Sequence, residues 1–109
     1  MDIETGHVKK LFRLDAVRPI NGYHPIVLST GRYLIGRTES CDIIIPTSVI
    51  SSVHAVMEVT ATGVNIYDMN SKNGTHLNGK KVPTAHLSLG DKVSFGNMEF
   101  TLQEYNKDK

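Results

Sequence analysis

The feature that most constrains this chain is its punctuation. Gly, Pro and Asn-Gly signals break the sequence about every eight to twelve residues, and between them stand short runs rich in Val, Ile, Thr, Tyr and Phe. An amphipathic helix needs an unbroken helical period over about ten to twelve residues, and no stretch supplies one. Val8 to Val17 comes nearest, through Leu11 and Leu14. It lacks an N-terminal cap and Arg18-Pro19 closes it, so it reads as an edge strand.

After an Asn21-Gly22 turn come the β-rich run Pro25-Ile26-Val27-Leu28, then Tyr33-Leu34-Ile35, then the wholly apolar Ile43-Ile44-Ile45, stopped by Pro46. His54 to Thr60 alternates, with Val56 and Glu58 on one face and Ala55, Met57 and Val59 on the other. Ala61-Thr62-Gly63 turns that strand into Val64 to Met69. Asn73-Gly74 and Asn78-Gly79 both favour the positive φ of type I′ turns, and predict successive short hairpins. Lys80 to Pro83 is a short edge segment, and Val93 to Gly96 with Met98 to Leu102 makes a closing hairpin around Asn97. About ten short strands without a helix predict an all-β sandwich. The expected organisation is a flexible N-terminal segment over residues 1–7, one sandwich domain over 8–105 and a solvated tail over 106–109.

Composition narrows the function. At 109 residues the chain is one domain with a modest core. Twelve Lys and Arg against eleven Asp and Glu leave a net charge of +1, and aromatics make up only 6%. A nucleic-acid binder would carry a basic stripe or stacking platforms, so nucleic acid is not an expected partner. The single cysteine, Cys41, excludes an internal disulfide. No window approaches the ~18 apolar residues of a membrane span, and Met1 to Lys10 has no apolar signal core. No membrane contact and a cytoplasmic location are expected. His7, His24, His54, His76 and His86 show no metal-ligand spacing, and neither a phosphate-cradling P-loop nor a nucleophile elbow is present. Ser51, His54 and Asp68 lack any evident orienting geometry. No metal, cofactor or catalysis is expected.

What remains is a set of polar residues at strand ends. Gly36-Arg37 ends one apolar run, Ser51-Ser52-Val53-His54 opens another, and Ser71-Lys72-Asn73-Gly74-Thr75 follows a third. If those strands share a sheet, loops at one rim carry Arg37, Ser51, Ser52, Lys72 and Asn73. A guanidinium, hydroxyls, an ammonium and an amide converging on one spot describe a receptor for a phosphate oxyanion.

Taken in order, Gly36-Arg37, Asp42, Ser51-x-x-His54, Asp68, Ser71-x-Asn73-Gly74-Thr75, Asn78-Gly79, Leu89-Gly90-Asp91 and Phe95-Gly96 resemble the forkhead-associated (FHA) domain family from Tyr33 to Phe100. The resemblance implies an antiparallel β-sandwich of about eleven strands that binds phosphothreonine peptides through loops at one end, without catalysis. By position, it implies that Arg37 and Ser51 contact the phosphate and that Asn73 bonds the ligand backbone. It places Ser52 and Lys72 where further phosphate contacts occur, and Gly36, His54, Gly74 and Asn78 where the site is held in shape. Ser52 departs from the Arg, Lys or Asn frequent at its position. The implied partner is a phosphothreonine protein or peptide, in trans or in cis within a larger regulatory protein, with Thr5 a candidate for self-recognition. A phosphate-independent scaffold on the same fold stays open, with Arg37 then paired internally to Asp42 or Glu39.

Overall fold

A computed structural model describes residues 10–106, so the expectations for residues 1–7, for Thr5 and for the tail beyond Asn106 lie outside the described residues. Ten strands form two five-stranded sheets. The first sheet runs β1 (Leu11–Ala16), β10 (Met98–Tyr105), β9 (Lys92–Phe95), β6 (Thr75–Leu77), β7 (Lys80–Lys81). The second runs β3 (Ile43–Ile44), β2 (Gly31–Gly36), β4 (Ala55–Thr60), β5 (Gly63–Asp68), β8 (Thr84–Leu87). The all-β sandwich is therefore present, with ten strands among the described residues where the family resemblance implies about eleven.

Alternation decides which face is buried. Ala55, Met57 and Val59 of β4 and Val64 and Ile66 of β5 point inward, where they meet Leu14, Val93, Phe95, Phe100 and Leu102 of the opposite sheet. Phe95 and Phe100 lie 5.7 Å apart between ring centroids, and Tyr23 packs edge-on against Phe100 at 5.2 Å. As expected, β1 is an edge strand, β4 and β5 form a hairpin, and β9 and β10 form the final hairpin, in the middle of the first sheet.

Two local expectations fail for identifiable reasons, and one strand pair departs from the antiparallel pattern of the rest. Pro25 to Leu28 is not a strand: it touches β1 only through the Phe12–Leu28 bridge, with Ile26 and Val27 exposed. Pro25 has no N–H to give a ladder. β3 pairs with β2 in parallel, not antiparallel. The Asp42 carboxylate accepts from the Leu34 N–H at 2.8 Å, and the Asp42 N–H donates to the Leu34 carbonyl at 2.9 Å. The loop is thus drawn back beside β2 before the chain sets out again in the same direction. Finally, only Asn78-Gly79, with φ of 48° and 90°, makes a hairpin, between β6 and β7. Asn73-Gly74 instead lies where the chain crosses from β5 in one sheet to β6 in the other. Of that pair only Gly74 takes positive φ, at 86°.

Candidate functional site

Strands β2, β4 and β5 are consecutive neighbours in one sheet, so the end of β2, the start of β4 and the end of β5 share one rim. Arg37 leaves β2 just after Gly36. Its N–H donates to the Ser51 carbonyl at 3.0 Å, and its side-chain Nε donates to the Ile50 carbonyl at 3.0 Å. One Nη donates to Ser52 Oγ at 3.0 Å. Ile50, buried in the core at 1% exposure, fixes the loop that Arg37 grips. Two of the guanidinium's five N–H donors are used in this way and the rest of an exposed side chain faces outward. Among the described residues Arg37 forms no ion pair. Neither Asp42, which is engaged with Leu34, nor Glu39 neutralises it.

The hydroxyls are oriented by what they accept. Ser51 Oγ accepts the Lys72 N–H at 3.0 Å, while Ser52 Oγ accepts from Arg37. With an acceptor site filled from within, each hydroxyl keeps its proton to donate outward. Asn73 Nδ2 donates to the Val49 carbonyl at 2.8 Å, leaving its second N–H and its Oδ1 for an incoming backbone. Arg37, Ser51, Ser52, Lys72 and Asn73 are therefore brought together on two loops and a strand end.

Beneath them His54 ties the loops to one another. It is fully buried, and its Nδ1 accepts the Ser51 N–H at 3.1 Å while its Nε2 lies 2.9 Å from the Gly74 carbonyl. A carbonyl can only accept, so the ring is the Nε2–H tautomer. It stands edge-on to Phe95 at 5.6 Å. Gly36 contributes by having no side chain: a Cβ there would sit 2.2 Å from the Ser52 carbonyl oxygen and 2.7 Å from Cys41 Sγ. That carbonyl accepts from Thr38 Oγ1 and Cys41 Sγ, each at 3.3 Å. Asn78 acts farther off, its Oδ1 accepting the Lys92 N–H at 3.1 Å to hold the β6–β7 turn against β9.

Asp68 organises the crossing. Its carboxylate accepts from the Ser71 hydroxyl at 2.6 Å, the Thr75 hydroxyl at 2.7 Å and the Ser71 N–H at 3.0 Å. Ser71 Oγ in turn accepts the Gly74 N–H at 3.0 Å. These side-chain closures replace the ladder of the hairpin expected at Asn73-Gly74. Burial pushes the Asp68 carboxyl up, but the hydrogen bonds from Ser71 and Thr75 outweigh it, and Asp68 titrates below the ordinary 3.8. A lowered folded value means that the ionised carboxylate stabilises the fold fully above about pH 4 and ceases to do so as pH falls through that lowered value. In denaturation curves from pH 6 to pH 2, the stability gap between wild type and Asp68→Asn should narrow progressively at the acid end. A gap independent of pH would contradict this role.

Residues 33–96 match the family model of the FHA domain, more than half of the 109-residue chain. The chain belongs to the FHA domain family. FHA domains are recognition modules rather than enzymes. This FHA domain is 39% identical over 77 residues to the ABC transporter ATP-binding/permease protein Rv1747 of Mycobacterium tuberculosis, covering 71% of the chain and 9% of that protein. It is 36% identical over 70 residues to the transcriptional regulatory protein EmbR of the same organism, covering 63% of the chain and 18% of EmbR. The chain thus spans less than a fifth of either relative. Among solved structures, the FHA domain of the Chlamydia trachomatis protein CT664 superposes with a TM-score of 0.79 at 28% identity, covering 88% of this chain and 99% of that one. Mycobacterium tuberculosis EmbR in complex with a low-affinity phosphopeptide superposes with a TM-score of 0.76 at 28% identity, covering 91% of this chain and 25% of that one.

The sequence marks Asp68 and Thr75 but does not reveal that they bond each other. An Asp three residues before a Ser is the usable signal, since such pairs close turns through their side chains. Thr38 and Cys41, and the Val49 and Ile50 carbonyls, leave no signal: their contribution depends on loop paths that only the folded sheet fixes.

Proposed function

We propose that this FHA domain is a phosphothreonine-dependent recognition module. In that role Arg37, Ser51, Ser52 and Lys72 hold the phosphate, Asn73 holds the ligand backbone, and Gly36, His54, Gly74 and Asn78 keep the loops in shape. The observation that carries this reading is the Arg37 guanidinium, gripped by Ile50 and Ser52 yet facing no carboxylate, beside two hydroxyls whose protons are free to donate. Such a group lacks an internal reason to be so tightly held and fits a dianionic ligand. The phosphopeptide bound by EmbR, at 28% identity to this chain, supports the same use. The ligand reaches the site in trans or from elsewhere in a larger regulatory protein, and the expected location is cytoplasmic. No helix among the described residues is long and apolar enough to cross a membrane.

An oriented library in matched phosphothreonine, phosphoserine and unphosphorylated pools tests this directly. Retention of the phosphothreonine pool alone is expected. A second reading rests on Leu34, Tyr67 and Met69, which stand 37%, 38% and 49% exposed. They offer an apolar surface for a phosphate-independent partner. Retention that survives phosphatase treatment would favour that surface over the loops.

A further inference from the structure

Lys81 stands next to the site, and nothing above uses it. It faces His76 in the β6–β7 ladder, at the edge of the first sheet. Its aliphatic stem lies across Gly74: a Cβ there would be 3.1 Å from Lys81 Cε and 3.5 Å from Cδ. The missing side chain of Gly74 is thus the slot in which the lysine rests, with its ammonium one bond beyond Cε. The Val82 N–H donates to the Thr75 carbonyl at 2.9 Å and fixes the strand immediately beyond it. On the other side of Asn73 stands Lys72, its N–H fixed on Ser51. Asn73 is therefore flanked in the chain by Lys72 and in space by Lys81.

Neither ammonium has a carboxylate partner among the described residues. Among the described residues, Lys72, Lys80 and Lys81 form no ion pair. The carboxylate of Asp68, at the end of β5, is occupied by Ser71 and Thr75. A chain of net charge +1 therefore carries Arg37, Lys72 and Lys81 around the Asn73-Gly74 crossing with no ion pair among the described residues. Arg37 and the two serines already suit a phosphate, so the charge on Lys81 is surplus to that ligand.

Resting on the phosphothreonine reading, we propose that Lys81 is a specificity-determining residue that reads a second negative charge flanking the phosphothreonine. That charge is an Asp or Glu carboxylate, or a second phosphate. A peptide backbone held by Asn73 carries its neighbouring side chain past the Gly74 slot, where the ammonium waits. The contact is solvent-exposed, so it supplies up to about fivefold in affinity for a carboxylate and weakens as salt rises. A second phosphate, with nearly twice the charge, gains more.

The test uses phosphothreonine peptides with Ala flanks, into which Asn, Asp or phosphoserine is placed at each of three positions on either side. Binding is followed by fluorescence anisotropy for wild type, Lys81→Gln and Lys81→Arg. Gln keeps an unbranched side chain as far as Cδ and puts a neutral amide where the stem continues, and Lys81 is exposed on an edge strand, so folding is preserved. At one flanking position Asp should bind wild type several-fold more tightly than Asn, and phosphoserine more tightly still. Lys81→Gln should abolish the difference, Lys81→Arg should retain it, and binding of the all-Ala peptide should be nearly unchanged in all three. Equal acidic preference in wild type and Lys81→Gln, or none in wild type, overturns the role of Lys81 while leaving the phosphothreonine reading intact. Failure of every phosphopeptide, the all-Ala one included, overturns both.

Discussion

Arg37→Ala is expected to lower affinity for a phosphothreonine peptide by at least tenfold while leaving the fold in place. A charge-assisted hydrogen bond contributes about 1.5–3 kcal/mol, and the guanidinium offers several donors to one phosphate. Its loss to the fold is small by comparison. Arg37 is exposed, the Ser52 hydroxyl that it bonds is open to water, and the Ile50 carbonyl loses a single donor. Arg37→Lys separates charge from geometry. A lysine keeps the charge but cannot hold the Ile50 carbonyl, Ser52 and a phosphate at once. It should therefore recover only part of the binding. Calorimetric titration with one phosphothreonine peptide, alongside denaturation of each variant, reads both quantities. Affinity for Arg37→Ala within twofold of wild type would remove Arg37 from the site.

His54→Ala is expected to be the most damaging single change near the site, through stability rather than contact with ligand. Truncation leaves a cavity against Phe95 and strands the Ser51 N–H, while the Gly74 carbonyl keeps only the Gly96 N–H at 2.9 Å. Cavity formation and an unsatisfied buried donor together cost about 3–4 kcal/mol. Binding falls as well, because His54 joins the loop that carries Ser51 to the one that carries Asn73. The denaturation midpoint should drop sharply, and amide signals of both loops should move even without ligand. A loss below about 1 kcal/mol would mean that the imidazole bonds contribute little. In wild type, nitrogen chemical shifts should identify the Nε2–H tautomer.

Much of this architecture is legible in the chain because its strands alternate cleanly. Met57 and Val59 declare their inner face, and Asn78-Gly79 declares its turn, since both residues must take positive φ. What the sequence hides is the set of places where side chains override local signals. Asn73-Gly74 carries the same dipeptide as Asn78-Gly79 yet makes no hairpin, because Asp68, Ser71 and Thr75 close the crossing instead. The parallel pairing of β3 hides behind Asp42, whose carboxylate copies a backbone acceptor beside Leu34. At the site, the residue types of Arg37, Ser51 and Asn73 are readable, and their gathering follows once β2, β4 and β5 are neighbours. The division of labour among them is not, because it depends on which donors the Ile50, Val49 and Gly74 carbonyls already hold.

The most direct test of the central claim is an NMR titration of the isotopically labelled domain with one phosphothreonine peptide and its unphosphorylated twin. The account expects the phosphorylated peptide to move the backbone signals of Arg37, Ser51, Ser52, Lys72 and Asn73 together, and the twin to move none of them. Equal shifts with both peptides, or shifts confined to the outer sheet face around Leu34 and Tyr67, would contradict it.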